Sequence, residues 1–362
     1  MEKINSRLNY LDNIKWITVL IVIFYHVIYL FNNSGVVSNI GVKGIPILDT
    51  FLIFVNPWFM CLMFIVSGIS SRYSLEKRTS KEFIKDRFKR ILVPSLLGIF
   101  IYCWINGYIT GQYADMFAGN GDKIPNFVKY IVYSLVGMGP LWYCHVLFVG
   151  SLLIVLIRKL DKKDKISNVC KKVNIPILFL LVILVWLSSK VLNVPVIEVY
   201  KFGIYLLMML LGYYVFYNKD LIKKLEKICT PMLIISVIVG LVYTYFTYGE
   251  KYTSKEILTS LFTNVYLWLM IISLFGFSSK FLNFKNKFST YMTKNNFNFY
   301  ILHYTIEVAL AYLITTYLNL PIIVVYLLVL FGTLISLPII VEIIKRIPIV
   351  RYMILGISKR KN

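Results

Sequence analysis

The chain has 362 residues, of which 58% are hydrophobic and only 15% charged, and its mean hydropathy is +0.72. A soluble domain carries about 25% charged residues, so this balance excludes a soluble globular protein and points to an integral membrane protein. The formal net charge of +22 invites a nucleic-acid partner, but the basic residues gather between apolar runs, so no nucleic acid is expected.

Runs long enough to span a bilayer are predicted at 14–32, 48–70, 91–110, 134–157, 175–190, 199–217, 231–248, 257–277, 297–317 and 322–344. That pattern predicts an all-α polytopic fold: ten transmembrane helices in a single membrane-embedded domain over 1–362. The first run, IKWITVLIVIFYHVIYLF, is longer than a signal-peptide core. Asn32, Asn33 and Ser34 follow it without an A-x-A-like cleavage site, so it is expected to stay as a membrane helix. Lys15 and His26 lie in this run with ten residues between them, about 16 Å along a helix, which puts the imidazole near mid-bilayer. An ionisable group at that depth usually faces a polar cavity with a task, and histidine titrates near neutrality.

Between the second and third runs, 71–90 (SRYSLEKRTSKEFIKDRFKR) reads as a short amphipathic helix whose apolar stripe is Phe83, Ile84, Phe88 and Ile91. It ends in RFKR, where Arg87 and Arg90 are spaced to share a face ahead of Pro94. They suit phosphate oxygens, and they equally suit snorkelling and topology anchoring. The loop 111–130 is rich in Gly, Asn, Asp and aromatic residues, a mix that fits a sugar or a plain surface loop.

The fourth run carries GPLWYCH, with Trp142 and His145; a structural role is expected for His145. In the ninth run Glu307 follows His303 by one turn, a pair that could orient a substrate or tie helices together. Glu342 precedes Lys345 and Arg346 and is expected to pair with them at the membrane interface.

With an even number of spans, 32 of the 39 Lys and Arg residues fall on one side. That asymmetry places the N- and C-termini in the cytoplasm and suits a multi-pass protein of the plasma membrane. Five cysteines show no paired spacing, so neither a disulfide nor a zinc site is expected. The sequence shows no Walker loop, no GxGxxG, no HExxH and no metal-ligand cluster, hence no metal and no redox cofactor is expected.

Taken together the motifs resemble the acyltransferase-3 family of multi-spanning membrane acyltransferases. An Asp followed by Arg/Lys-x10-His is matched by Asp12, Lys15 and His26, and a Ser-Gly at the second span by Ser67 and Gly68. Arg-x-x-Arg before Pro is matched by Arg87, Arg90 and Pro94. Leu-Trp-Tyr is matched by Leu141, Trp142 and Tyr143, and a late FYILHY by Tyr300 and His303. The tail VEIIKRIPIVRYMILG is similar to the glucan succinyltransferase branch. His145 departs from the pattern.

The resemblance implies transfer of an acyl group, acetyl or succinyl, from cytoplasmic acyl-CoA to a hydroxyl of an extracytoplasmic glycan or lipid-linked sugar. It implies His26 as general base or transient acyl carrier, with Lys15 and Asp12 stabilising the donor or positioning the helix. Arg87, Arg90, Trp142 and His303 are then expected to bind the donor. The competing class is a transporter or flippase of a lipid or glycan, which often shows internal repeats and Gly/Pro-broken helices in matching halves, neither of which is found in the sequence.

Overall fold

Residues 8–194 and 200–357 are described by the structure, a computed structural model. Pro195, Val199 at the predicted start of the sixth run, and the terminal basic residues Lys3, Arg7, Lys359, Arg360 and Lys361 lie outside them.

The described chain is helical, with one isolated β-bridge between Asn193 and Lys201. Helix α1 (Asn9–Leu30) is followed by α2 (Asp49–Val55) and α3 (Phe59–Leu75), which run on as one span from Pro46. Next, α4 (Ser80–Arg87), α5 (Val93–Gly98) and α6 (Trp104–Tyr113) form a composite span joined by π-helical turns at Phe88–Leu92 and Ile99–Cys103. Then come α7 (Asn126–Val136), α8 (Trp142–Leu160), α9 (Lys165–Cys170), α10 (Ile175–Ser189) and α11 (Phe202–Tyr214). The chain closes with α12 (Lys219–Thr247), α13 (Lys255–Leu258), α14 (Leu261–Phe281), α15 (Lys287–Tyr317), α16 (Ile322–Arg346) and α17 (Pro348–Leu355).

Eight of these segments are long and apolar enough to cross a membrane. The other two predicted runs are the apolar helices α10 and α11, of 15 and 13 residues. At 1.5 Å per residue each is about 20 Å long, short of a ~30 Å hydrocarbon core. The fold is an all-α polytopic membrane protein.

Two local predictions are corrected. The fourth run does not begin at 134: residues up to Val136 belong to α7, and the chain turns at Gly139, whose φ of 50° is left-handed, and at Pro140 before α8 starts. The end of the predicted 111–130 loop, from Asn126 on, thus belongs to α7, which packs on α6. The apolar stripe before the third span is also broken. Phe83 and Ile91 are buried, but Phe88, where the π-helical turn begins, is 46% exposed.

Side chains at the ends hold the long helices in register. Thr79 and Glu82 form a reciprocal cap at α4, and Asn286 and Ser289 do so at α15, where the bonds are 2.7 and 2.9 Å. The α2–α3 span lies inside, 89% buried over its apolar window, whereas the windows of α12 and α16 are 28% buried and present their apolar faces to lipid. α1 is central and packs on α2, α3, α14, α15 and α16.

Contact between α3 and α11 depends on missing side chains. A Cβ on Gly68 would fall 2.0 Å from the Met209 carbonyl oxygen, and one on Gly212 would fall 2.0 Å from that of Ile65. The Ser-Gly motif therefore does two jobs: its glycine lets the helices meet backbone to backbone, and its serine faces the interior.

Candidate functional site

α1 and α15 pack side by side, and their histidines meet although 277 residues separate them: His26 Nδ1 lies 3.0 Å from His303 Nε2. His303 is fully buried midway along α15, and His26 keeps partial exposure. The protons of the pair can be assigned from its neighbours. His303 Nδ1 is 2.5 Å from the Tyr300 carbonyl oxygen, which can only accept, so with both rings neutral His303 carries its proton on Nδ1. Its Nε2 is then a lone pair and accepts from His26 Nδ1–H. The remaining nitrogen, His26 Nε2, is left as a lone pair able to take a proton from another molecule.

Aromatic side chains surround this pair. Ring centroids of Tyr304, Tyr25 and Tyr29 lie 4.8, 5.4 and 6.0 Å from that of His26. Each phenol is anchored away from the imidazole. The Tyr304 hydroxyl donates to Asn39 Oδ1, and Asn39 in turn donates to Thr110 Oγ1 at 2.6 Å on α6. Tyr25 pairs with Tyr252 at 2.9 Å, and Tyr29 donates to the Val37 carbonyl. Burial pushes the Tyr252 phenol well above its ordinary range, keeping it a neutral partner.

A second set of polar contacts lies along α3. Ser70 Oγ accepts from Lys15 Nζ at 2.8 Å, and Ser71 Oγ accepts from Arg87 Nη2 at 3.3 Å. Both hydroxyls donate their own protons to carbonyls one turn back, Val66 and Ser67. Lys15 is also 3.9 Å from Asp12. One turn deeper, Ser67 Oγ meets the Tyr143 hydroxyl at 2.9 Å. The Tyr143 ring is 5.2 Å from that of Tyr300, whose carbonyl anchors His303. A line of polar side chains thus leads from Lys15 and Arg87 towards the histidines.

Of the residues singled out in the sequence, His26 and His303 come together, and Lys15 and Arg87 converge on neighbouring serines with Asp12 beside Lys15. Trp142 is buried, its ring 5.1 Å from Tyr205 and 6.3 Å from Phe64. Arg90 does not join them. It pairs with Asp86 at 2.8 Å and its side chain is 64% exposed, because the π-helical turn at Phe88–Leu92 ends the shared face that an i,i+3 spacing implies. His145 bonds Tyr200 at 2.7 Å instead. Glu342 and Lys345 form the expected pair at 2.6 Å.

The sequence showed no metal-ligand cluster, yet tertiary contact creates one. His26, His303 and Glu307 offer ligand atoms that all lie within 4.8 Å of one another. The residues that sequence reasoning missed, Asn39, Ser70 and Tyr304, take part in polar contacts with partners remote in sequence.

Comparison with known proteins adds the following. The family described as acyltransferase domain matches residues 8–341. The chain is 22% identical over 338 residues to glucans biosynthesis protein C of Escherichia coli K12, covering 87% of this chain and 86% of that protein. The same identity and coverage hold for glucans biosynthesis protein C of Shigella boydii serotype 4. No solved structure matches the chain at a significant level.

Proposed function

Because this chain belongs to the acyltransferase-3 family and is a multi-pass membrane O-acyltransferase, we propose that it carries an acyl group from cytoplasmic acyl-CoA to a glycan hydroxyl at the outer face of the plasma membrane. The observation that carries this reading is the hydrogen-bonded pair His26–His303, which leaves His26 Nε2 as a free base.

The roles follow from position. The phosphates of CoA cannot enter hydrocarbon, so they stay at the basic cytoplasmic end. There Arg87, held half-buried on Ser71, is the better placed arginine, and Arg90 at the surface adds long-range attraction. The narrow pantetheine arm runs along the hydroxyls of α3, past Ser67, Tyr143 and Trp142, and delivers the thioester to the histidines. Lys15, about 16 Å from His26 along α1, marks the donor end, with Asp12 fixing its ammonium.

The acceptor approaches through the tyrosines around His26. His26 Nε2 takes the hydroxyl proton as the oxygen attacks the thioester carbon; the C–S bond breaks, and the thiolate recovers a proton as CoA leaves. His303 fixes the tautomer and orientation of His26. The resemblance to glucans biosynthesis protein C makes a glucan-like acceptor and an acetyl or succinyl donor the first choices to test.

The test is His26→Gln. Glutamine keeps a hydrogen-bonding side chain but cannot act as base, and loss of a general base typically lowers rate by about 10²–10⁴. Membrane vesicles carrying the variant should release CoA from acetyl- or succinyl-CoA at that lower rate and still bind the donor. Native-rate release from this variant would sink the assignment.

A further inference from the structure

We propose that the groove between α4 and α8 binds an anionic phospholipid, with the headgroup on Lys81 and Lys85 and an acyl chain along the apolar floor. This site is independent of the roles given to the histidines and to Arg87.

The groove has a volume of about 590 Å³. Ser80, Lys81, Ile84, Lys85 and Phe88 line it on one side and Val155 of α8 on the other. A space of that size belongs with small-molecule sites. The opposite face of α4 is already engaged: Phe83 is buried, and the Arg87 guanidinium lies 5.0 Å over its ring while reaching Ser71.

The rim of the groove calls for an anion. α4 carries two carboxylates, and both are occupied. Glu82 accepts from the Thr79 backbone N–H and hydroxyl, each at 2.9 Å. Asp86 pairs with Arg90 at 2.8 Å and with Arg78 at 3.5 Å. Lys81 and Lys85 are exposed and form no ion pair among the described residues. At i,i+4 they stand side by side and repel each other, which an external anion relieves.

The floor of the groove calls for hydrocarbon. Phe88 stays exposed despite its size, and its ring meets that of Phe148 at 6.2 Å. Val155 lies one turn before Arg158 and Lys159, the basic end of α8. One turn the other way along the same face, Leu152 is exposed on the outside of the bundle. The apolar floor therefore runs from the two lysines down α8 towards the bilayer interior. Free phosphate or a nucleotide would leave that floor bare, and a zwitterionic lipid would bring a cation to the lysines. A negative headgroup carrying acyl chains matches both parts. The charge asymmetry of the sequence assigns this basic side to the cytoplasmic leaflet, where anionic lipids attract lysines close to the surface.

The experiment titrates the purified protein in neutral detergent with phosphatidylglycerol, phosphatidylcholine or CoA and counts bound molecules by native mass spectrometry. The variants are Lys81→Gln/Lys85→Gln, Val155→Trp and Lys162→Gln/Lys163→Gln, the last removing equal charge from an exposed turn. Phosphatidylglycerol should bind more tightly than phosphatidylcholine. Each lysine near an anionic lipid contributes about fivefold, so Lys81→Gln/Lys85→Gln should bind phosphatidylglycerol about thirtyfold more weakly. Val155→Trp fills the groove with both lysines in place and should also weaken binding, whereas the variant in the turn should bind as the native protein does. Phosphatidylglycerol should raise the Tm of the native protein but not that of Lys81→Gln/Lys85→Gln. Without lipid that variant should keep a native Tm, because only exposed side chains change.

Unchanged affinity in Lys81→Gln/Lys85→Gln, an equal loss in the variant of the turn, or equal binding of the two lipids would overturn the site. Displacement of phosphatidylglycerol by CoA would overturn it too, since the lysines would then hold the phosphates of the donor. If Val155→Trp does not fold, the two lysine pairs decide the question by themselves.

Discussion

Replacing His303 by leucine removes the acceptor of the His26 Nδ1 proton and leaves His26 itself in place. In the resting pair that bond is neutral, at 3.0 Å. Once His26 holds a second proton, it becomes a charge-assisted bond, and the difference between those states is what catalysis can use. A hydrogen bond to a charged group is worth about 1.5–3 kcal/mol. At 1.36 kcal/mol per factor of ten in rate, kcat should drop by about 10- to 150-fold. KM for acyl-CoA should hardly change, because neither the basic end at Lys15 and Arg87 nor the hydroxyl track touches this bond. His303→Gln places an amide oxygen near the lost Nε2, so it keeps an acceptor and should lose less than leucine does. Both variants remove the second donor to the Tyr300 carbonyl, His303 Nδ1 at 2.5 Å, and a modest fall in Tm should accompany the change. The assay follows CoA thiol release by membrane vesicles with a thiol-reactive dye, over a range of donor concentrations. If His303→Leu keeps kcat within about twofold of native, the pair is a helix contact and the tautomer argument has no functional weight.

The two arginines should separate cleanly. Arg87→Gln removes the half-buried cation on Ser71 and should weaken acyl-CoA binding by about tenfold or more, whereas Arg90→Gln removes an exposed group already paired with Asp86 and should cost less than about threefold; equal losses measured by calorimetry would contradict the split made by the π-helical turn. Gly68→Ala forces a methyl group to within 2.0 Å of the Met209 carbonyl oxygen, so α3 and α11 must separate. A loss of roughly 1–3 kcal/mol is expected from such overpacking, read as a lower Tm in detergent, and an unchanged Tm would refute the close crossing.

The sequence by itself determined the class of fold. Long apolar runs separated by basic segments leave little choice but helices across a bilayer, because in hydrocarbon the backbone must satisfy its own hydrogen bonds. It also singled out His26, since one imidazole in an apolar run is conspicuous, and the ordered motifs gave the family. The Glu342–Lys345 pair was legible because its partners lie within one turn.

Tertiary structure decided everything that joins distant segments. That His26 faces His303 depends on how α1 rotates against α15, and hydropathy is nearly blind to rotation when a helix is apolar on most sides. The pairing of Lys15 with Ser70, and of Tyr143 with Ser67, depends on helix crossings set by glycines such as Gly68, whose role is visible only when the opposing backbone is present. Arg87 and Arg90 were placed on one face by ideal helical spacing, and a single π-helical turn parted them. Glu307 is the sharpest case: the sequence shows a carboxylate one turn from an imidazole, but only the packed helices bury it beside two of them and leave both its oxygens unpartnered among the described residues. Local rules govern contacts within a turn, and burial and charge between helices are properties of the assembled bundle.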